Sequence, residues 1–134
     1  MMIFLDDIRS PQECASYMDK RIGKLNPIYN KGGWYIVRNY DEFQDSIIKY
    51  IDDITHISFD HDLADEHYTP EEYWESFDKS KEYQEKQVYK EKTGYECAKW
   101  LKEYYIYKEK ELPIMFVHSM NPVGTENIIN LFKR

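Results

Sequence analysis

The sequence is poor in the features that mark a stapled or membrane-embedded chain. Only two cysteines occur in 134 residues, Cys14 and Cys97, far apart and in no C-x-x-C or Cys/His spacing. They point to buried or half-buried free thiols, and so to a reducing, cytoplasmic setting. Long apolar runs are also missing. The opening "MMIFL" gives way at once to two acids and has no basic flank, so neither a signal peptide nor a membrane span is expected. Basic charge is short as well: 18 Lys and Arg stand against 25 Asp and Glu, a net charge of −7. A general nucleic-acid coat is not expected from such a balance, because backbone binding rests on cationic side chains meeting phosphates. A small phosphorylated ligand in a local pocket, or one recruited with a metal, stays compatible with it. Repeats and low-complexity segments are absent. Aromatic residues, by contrast, are plentiful, with thirteen Tyr and three Trp. The length suits a single domain, 1–134, able to close one core without staples.

Four short stretches read as strands: Met1–Leu5, "WYIVRN" (Trp34–Asn39), Ile54–Phe59 and "LPIMFVHS" (Leu112–Ser119). Each is nearly continuous in apolar or β-branched residues, as strands buried on both faces are. Helices are expected between them. Ser10 followed by Pro11 opens one, and Asn39 or Asp41 caps a second, in which Phe43, Ile47, Ile48 and Ile51 recur at helical spacing. Thr93–Tyr107 supplies a third, with Tyr95, Ala98, Leu101 and Tyr105 inward, and Asn121 with Pro122 starts the last. Asn26–Gly33 reads as loop. Between the third strand and the third helix lies a long insert, Ala64–Lys92, holding nine acids and five lysines among Tyr73, Trp74, Phe77 and Tyr83. It reads as one or two solvated amphipathic helices, with a lid or a surface for a protein partner as the functional alternatives. The whole predicts a three-layer α/β/α sandwich: a parallel sheet of about four strands, with a helical insert after the third.

In such sheets ligands bind beyond the carboxyl ends of the strands. Asp6-Asp7, Asp60-His61-Asp62 and His118-Ser119 all fall there. Asp6, Asp7 and Asp60 offer the oxygen ligands that a hard divalent cation takes, Mg²⁺ or Mn²⁺ being expected and Zn²⁺ admissible. Adjacent carboxylates are also expected to raise one another's pKa. His61 and His118 are candidates for the acid and base of a phosphoester displacement, with Asp60 and Asp62 binding metal or orienting the imidazoles. Arg9, Ser119, Asn121 and Gly124 are candidates for phosphate binding: a guanidinium clamp, a hydroxyl donor, and a helix start open to close approach. Each also has a plain structural reading, as ion pair, cap or turn. Arg38 has the same two readings with less support, Trp34 reads as packing, and His56 and His67 carry little signal.

"FLDDIRSP", "WYIVRNYDEF", "ISFDHDL", "TGYECAKWL" and "VHSMNPVGTENI", in that order, resemble the cyclic-phosphate-processing receiver-like domain family. The resemblance implies a response-regulator receiver, flavodoxin-like fold. It matches Asp6 and Asp7 to the acidic pair that helps hold magnesium, Asp60 to the phosphoacceptor position, and Ser119 to the hydroxyl residue after the fourth strand. His61, Asp62 and His118 match the polar residues that set the family apart from ordinary receivers. No fifth strand with the receiver's lysine is evident before Arg134, which counts against phosphorelay signalling. The leading expectation is a phosphoesterase acting on a cyclic phosphate of a nucleotide or RNA end. The alternative is a receiver-derived module that binds a cyclic nucleotide or a protein partner without turnover. A nucleophilic Asp60 stays open.

Overall fold

A computed structural model describes residues 1–15, 27–63, 78, 92–119 and 121–133. The Ala64–Lys92 insert therefore lies almost wholly outside the described residues, and with it His67, Tyr73, Trp74, Phe77 and Tyr83.

Four strands form, each shorter than the apolar run that contains it: β1 (Met2–Leu5), β2 (Trp34–Val37), β3 (His56–Phe59) and β4 (Ile114–Val117). All pair in parallel, in the order β2-β1-β3-β4. The described helices are α1 (Tyr40–Tyr50), α2 (Gly94–Tyr107) and α3 (Pro122–Phe132), with helical turns at residues 11–15 and a 3-10 turn at Pro27–Asn30. Caps set their starts. The side chains of Ser10, Asn39, Thr93 and Asn121 accept from the amides of Glu13, Glu42, Glu96 and Gly124, filling donors that a helix start leaves without partners.

Alternation along the strands sorts the chain into three layers. Ile3, Leu5, Ile57 and Phe59 face α1, α2 and α3, packing on Phe43, Ile47, Leu101 and Ile128. Phe4 faces the other way, onto Cys14, Ala15 and Tyr29, with Trp34, Ile36 and Phe116 around them. Both cysteines are buried, and neither is in a disulfide with the other. Tyr95 is half-buried rather than in the core; Cys97 takes the inward position on its turn of α2. No helix among the described residues is long and apolar enough to cross a membrane.

The strand order reverses at β1, whose two neighbours lead to opposite edges of the sheet. The crevice at such a switch point opens between the carboxyl ends of β1 and β3, where Asp6 and Asp60 stand.

Candidate active site

The hydrogen-bond ladder runs one residue beyond β1, β3 and β4. Asp6 donates its amide to the Val37 carbonyl, Asp60 to that of Leu5 and His118 to that of Phe59, at 2.9–3.1 Å. Asp6, Asp60 and His118 therefore form a row across the sheet. They lie two residues beyond Phe4, Ser58 and Phe116, and so point to the same face as those residues. Asp7, one residue further on, stands outside that group, close enough to Asp6 for the Asp6 charge to raise it. The structure gathers Asp6, Asp60 and His118, whose ligand atoms all lie within 4.8 Å of one another. The sequence had suggested Asp7 for this group; the structure puts His118 there instead.

Asp6 is wholly buried. Its Oδ1 accepts from the amides of Ile8 and Arg9 at 3.0 and 2.8 Å, and its Oδ2 from the Arg9 Nε at 3.0 Å and the His118 Nε2 at 3.2 Å. Burial pushes its pKa up, but the His118 bond, the two amides and the guanidinium outweigh that and hold it at about 2. Asp6 is thus ionised and accepts only. The mutual raising expected of the Asp6-Asp7 pair appears only in Asp7, pushed up by burial and then by the Asp6 charge.

Those facts fix the proton on His118. Burial lowers its pKa, the Asp6 contact only partly opposing this, so the ring is neutral at neutral pH. With Asp6 accepting, Nε2 carries the proton and Nδ1 accepts from the Ser58 hydroxyl at 2.6 Å. Ser58 in turn accepts from the Tyr29 hydroxyl at 2.8 Å, a phenol that burial pushes up to about 12. The ring stacks on Phe4, centroids 4.2 Å apart. This Ser–His–Asp row resembles that of a hydrolase triad, but Ser58 and His118 are fully buried and offer no nucleophile to a substrate. Sequence reading passed over both Ser58 and Tyr29. The signal for Ser58 was a lone hydroxyl between Ile57 and Phe59; Tyr29, in a loop, carried none.

Asp60 is the strained member. Burial and then the Asp6 charge raise its pKa to about 8, against the pull of Arg9, and its Oδ2 has no hydrogen-bond partner among the described residues. The Arg9 NH2 lies 3.5 Å from that oxygen while its Nε holds Asp6. Arg9, with its side chain 20% exposed, thus lies across both carboxylates. Arg38 donates to the carbonyls of Asp6 and Arg9 and braces the loop that carries them.

A second constellation adjoins the first. His61 Nδ1 lies 2.8 Å from Asp62 Oδ1, and the Asn121 amide nitrogen lies 3.2 Å from the same oxygen and 3.4 Å from His61 Nδ1. The other ring nitrogen of His61, Nε2, has no hydrogen-bond partner among the described residues. No hydrogen bond joins His61 to His118 among the described residues, so the two imidazoles belong to separate clusters. Ser119 accepts from the Asn121 amide at 3.1 Å.

A family model described as the Cyclic-phosphate processing Receiver domain matches residues 1–134. The chain belongs to that family. No curated protein and no solved structure matches it. The polar residues just described are thus the strand-end set of a cyclic-phosphate processing receiver.

Two glycines let this receiver domain close around its site. A Cβ on Gly124 would lie 2.3 Å from His61 Cγ, so α3 leans directly on the imidazole. A Cβ on Gly94 would lie 1.7 Å from the Asp60 carbonyl oxygen, next to the bond from the Gly94 amide to the His61 carbonyl at 2.8 Å. Gly124→Ala is expected to lower stability by about 1–3 kcal/mol, as overpacking does, and Gly94→Ala by more, because backbone is what it meets. Denaturant titration of the two variants checks the order.

A divalent cation suits this donor set. Asp60 Oδ2 is a buried carboxylate oxygen without a hydrogen-bond partner among the described residues, beside an ionised Asp6, and the local field already holds a guanidinium.

Proposed function

We propose that this chain is a phosphoesterase that opens a cyclic phosphate on a nucleotide or RNA end. The observation that carries the reading is the pairing of His61 with Asp62. One ring nitrogen is oriented by a carboxylate, while the other has no partner among the described residues. That is the arrangement a general acid–base needs. His61 takes the proton of an attacking water as its oxygen bonds to phosphorus. The same imidazolium hands a proton to the alkoxide released when one ring P–O bond breaks. Proton and charge balance within that exchange, and a phosphomonoester or an opened diester results. Asp62 and Asn121 hold the ring, and Gly124 lets α3 fix it from behind.

His118 takes a different part. It is fully enclosed, with both nitrogens engaged, and it acts on the acidic cluster rather than on substrate. Asp6 and Asp60 would hold a divalent cation, with Asp7 beside them. When bound, such an ion neutralises charge on the phosphoryl oxygens. Arg9, lying across both carboxylates, supplies donors to those oxygens, and Ser119, next to His118 in sequence, is the candidate hydroxyl donor.

The test is product analysis of the purified protein with 2′,3′-cyclic, 3′,5′-cyclic and cyclic-oligonucleotide phosphates, with Mg²⁺, with Mn²⁺ and with chelator. Conversion of one class to a ring-opened product is expected. Tight binding of one compound without conversion would replace the reading with that of a sequestering module.

A further inference from the structure

We propose that Asp6, Asp60 and His118 form a site for a borderline transition-metal dication, bound through His118 Nε2, with Ser58 and Tyr29 holding the other ring nitrogen. The inference deepens the reading above by naming the class of cation, and it rests on that reading only for the ion's place, not for turnover.

The donor set bears on the class of cation. An all-oxygen group of carboxylates suits Mg²⁺, which prefers carboxylate and water. An imidazole in place of one carboxylate moves a site towards Fe²⁺, Co²⁺ or Zn²⁺, and still admits Mn²⁺, which takes nitrogen beside oxygen more readily than Mg²⁺ does. Here the ladder register brings in His118 and leaves Asp7 out, so the three ligand atoms that converge are two oxygens and one nitrogen.

What stands behind the imidazole bears on the same site. A ligating histidine almost always has its other nitrogen held by a fixed polar group, which sets its tautomer and orientation. His118 has that support built in: Ser58 at 2.6 Å, backed by Tyr29 at 2.8 Å, with Phe4 stacked on the ring. Two buried hydroxyls in series can donate or accept by rotating. When Nε2 gives its lone pair to a cation, its proton resides on Nδ1 and is donated to Ser58. The Ser58 hydroxyl then turns to Tyr29. The proton count of the neutral ring is unchanged.

A positive charge is already seated at the two carboxyl groups. Arg9 spans Asp6 and Asp60 from the solvent side at 3.0 and 3.5 Å. The second of these is too long for a good hydrogen bond, and Asp60 Oδ2 is left without one. A small dication meets both carboxylates more closely than this guanidinium does, and enters in exchange for it.

The experiment uses the whole chain, stripped with chelator and dialysed. Calorimetric titration compares Mn²⁺ with Mg²⁺, and pulsed electron paramagnetic resonance of the Mn²⁺-loaded protein looks for a directly bound nitrogen. We expect one Mn²⁺ per chain, bound roughly a hundredfold more tightly than Mg²⁺, with an imidazole nitrogen coupling. His118→Gln removes the coupling, and Ser58→Ala, which leaves all three ligands in place, weakens Mn²⁺ roughly tenfold or more. Equal affinity for the two ions with no nitrogen coupling in the unaltered protein would overturn the proposal in favour of an oxygen site. Failure of Mn²⁺ to bind would overturn it outright. The coupling is read on the unaltered chain, so misfolding of a variant does not blur the result. Nitrogen-bound Mn²⁺ without cyclic-phosphate turnover would uphold the metal site and sink the phosphoesterase; turnover by a protein that binds no Mn²⁺ through nitrogen would do the reverse.

Discussion

His61→Gln is expected to lower cyclic-phosphate turnover by about 10²–10⁴-fold, the usual worth of a positioned acid–base group. Glutamine keeps a polar amide beside Asp62 and Asn121 and has similar reach, but it cannot carry a proton between water and a leaving alkoxide. Mn²⁺ affinity should stay within about twofold of the unaltered protein, because His61 is not in the group formed by Asp6, Asp60 and His118. Asp62→Asn removes the carboxylate that orients the ring and should cost less than loss of the ring itself. If His61→Gln turns over substrate at the original rate, the proton-transfer role assigned to His61 is wrong. A drop in Mn²⁺ affinity of the same size as the drop in rate would mean that His61 acts through the metal.

Asp60→Asn is expected to stabilise the metal-free protein at neutral pH, by about 2 kcal/mol or more. The folded chain holds the Asp60 proton up to about pH 8, whereas the unfolded chain releases it near 3.8. Between those values the unfolded state binds fewer protons, so stability falls as pH rises. Below 3.8 both states are protonated and the group contributes nothing; above 8 the full penalty of a buried charge is present. Asparagine removes that penalty, so the gain over wild type should be near zero at pH 4 and largest at pH 8. Arg9 loses one of its two carboxylates in the variant, which trims the gain. Saturating Mn²⁺ should reverse the order, because only the native site gains the binding free energy. Urea titrations at several pH values, with and without the ion, read all of this. A variant less stable than wild type at pH 8 without metal would show that Asp60 is a satisfied structural carboxylate.

Much of this architecture is legible in the sequence because it rests on local signals. Near-continuous apolar runs announce parallel strands, and Ser10-Pro11, Asn39 and Asn121-Pro122 announce helix starts that the structure confirms. β1 and β3 end where their runs end, whereas β2 and β4 give out two residues before theirs. Whether a residue beyond a strand belongs to one cluster or the other is also written in the sequence, as parity. Asp6, Asp60 and His118 each sit two residues beyond an inward residue of one sheet face, Phe4, Ser58 and Phe116. That parity becomes usable only with the register, and register is a property of pairing rather than of any one strand.

Other features could not be read there. Tyr29 reaches Ser58 from a loop 29 residues away, and no local pattern points to that contact. Asp6 and Asp7 look equivalent in sequence, yet hydrogen bonds from His118, Arg9 and Ile8 hold one low while the other is raised. Gly124 looks like an opening for phosphate at a helix start; its lack of a Cβ is used by His61.

In the proposed function, His61 and the acidic row form one site that opens a cyclic phosphate. It is tested most directly by following a 2′,3′-cyclic nucleotide by ³¹P NMR, with unaltered protein and His61→Gln side by side, each with Mn²⁺ and with chelator. The cyclic diester signal is expected to give way to a monoester signal only with unaltered protein and Mn²⁺. Persistence of the diester in every tube, across the 3′,5′-cyclic and cyclic-oligonucleotide substrates as well, would contradict it.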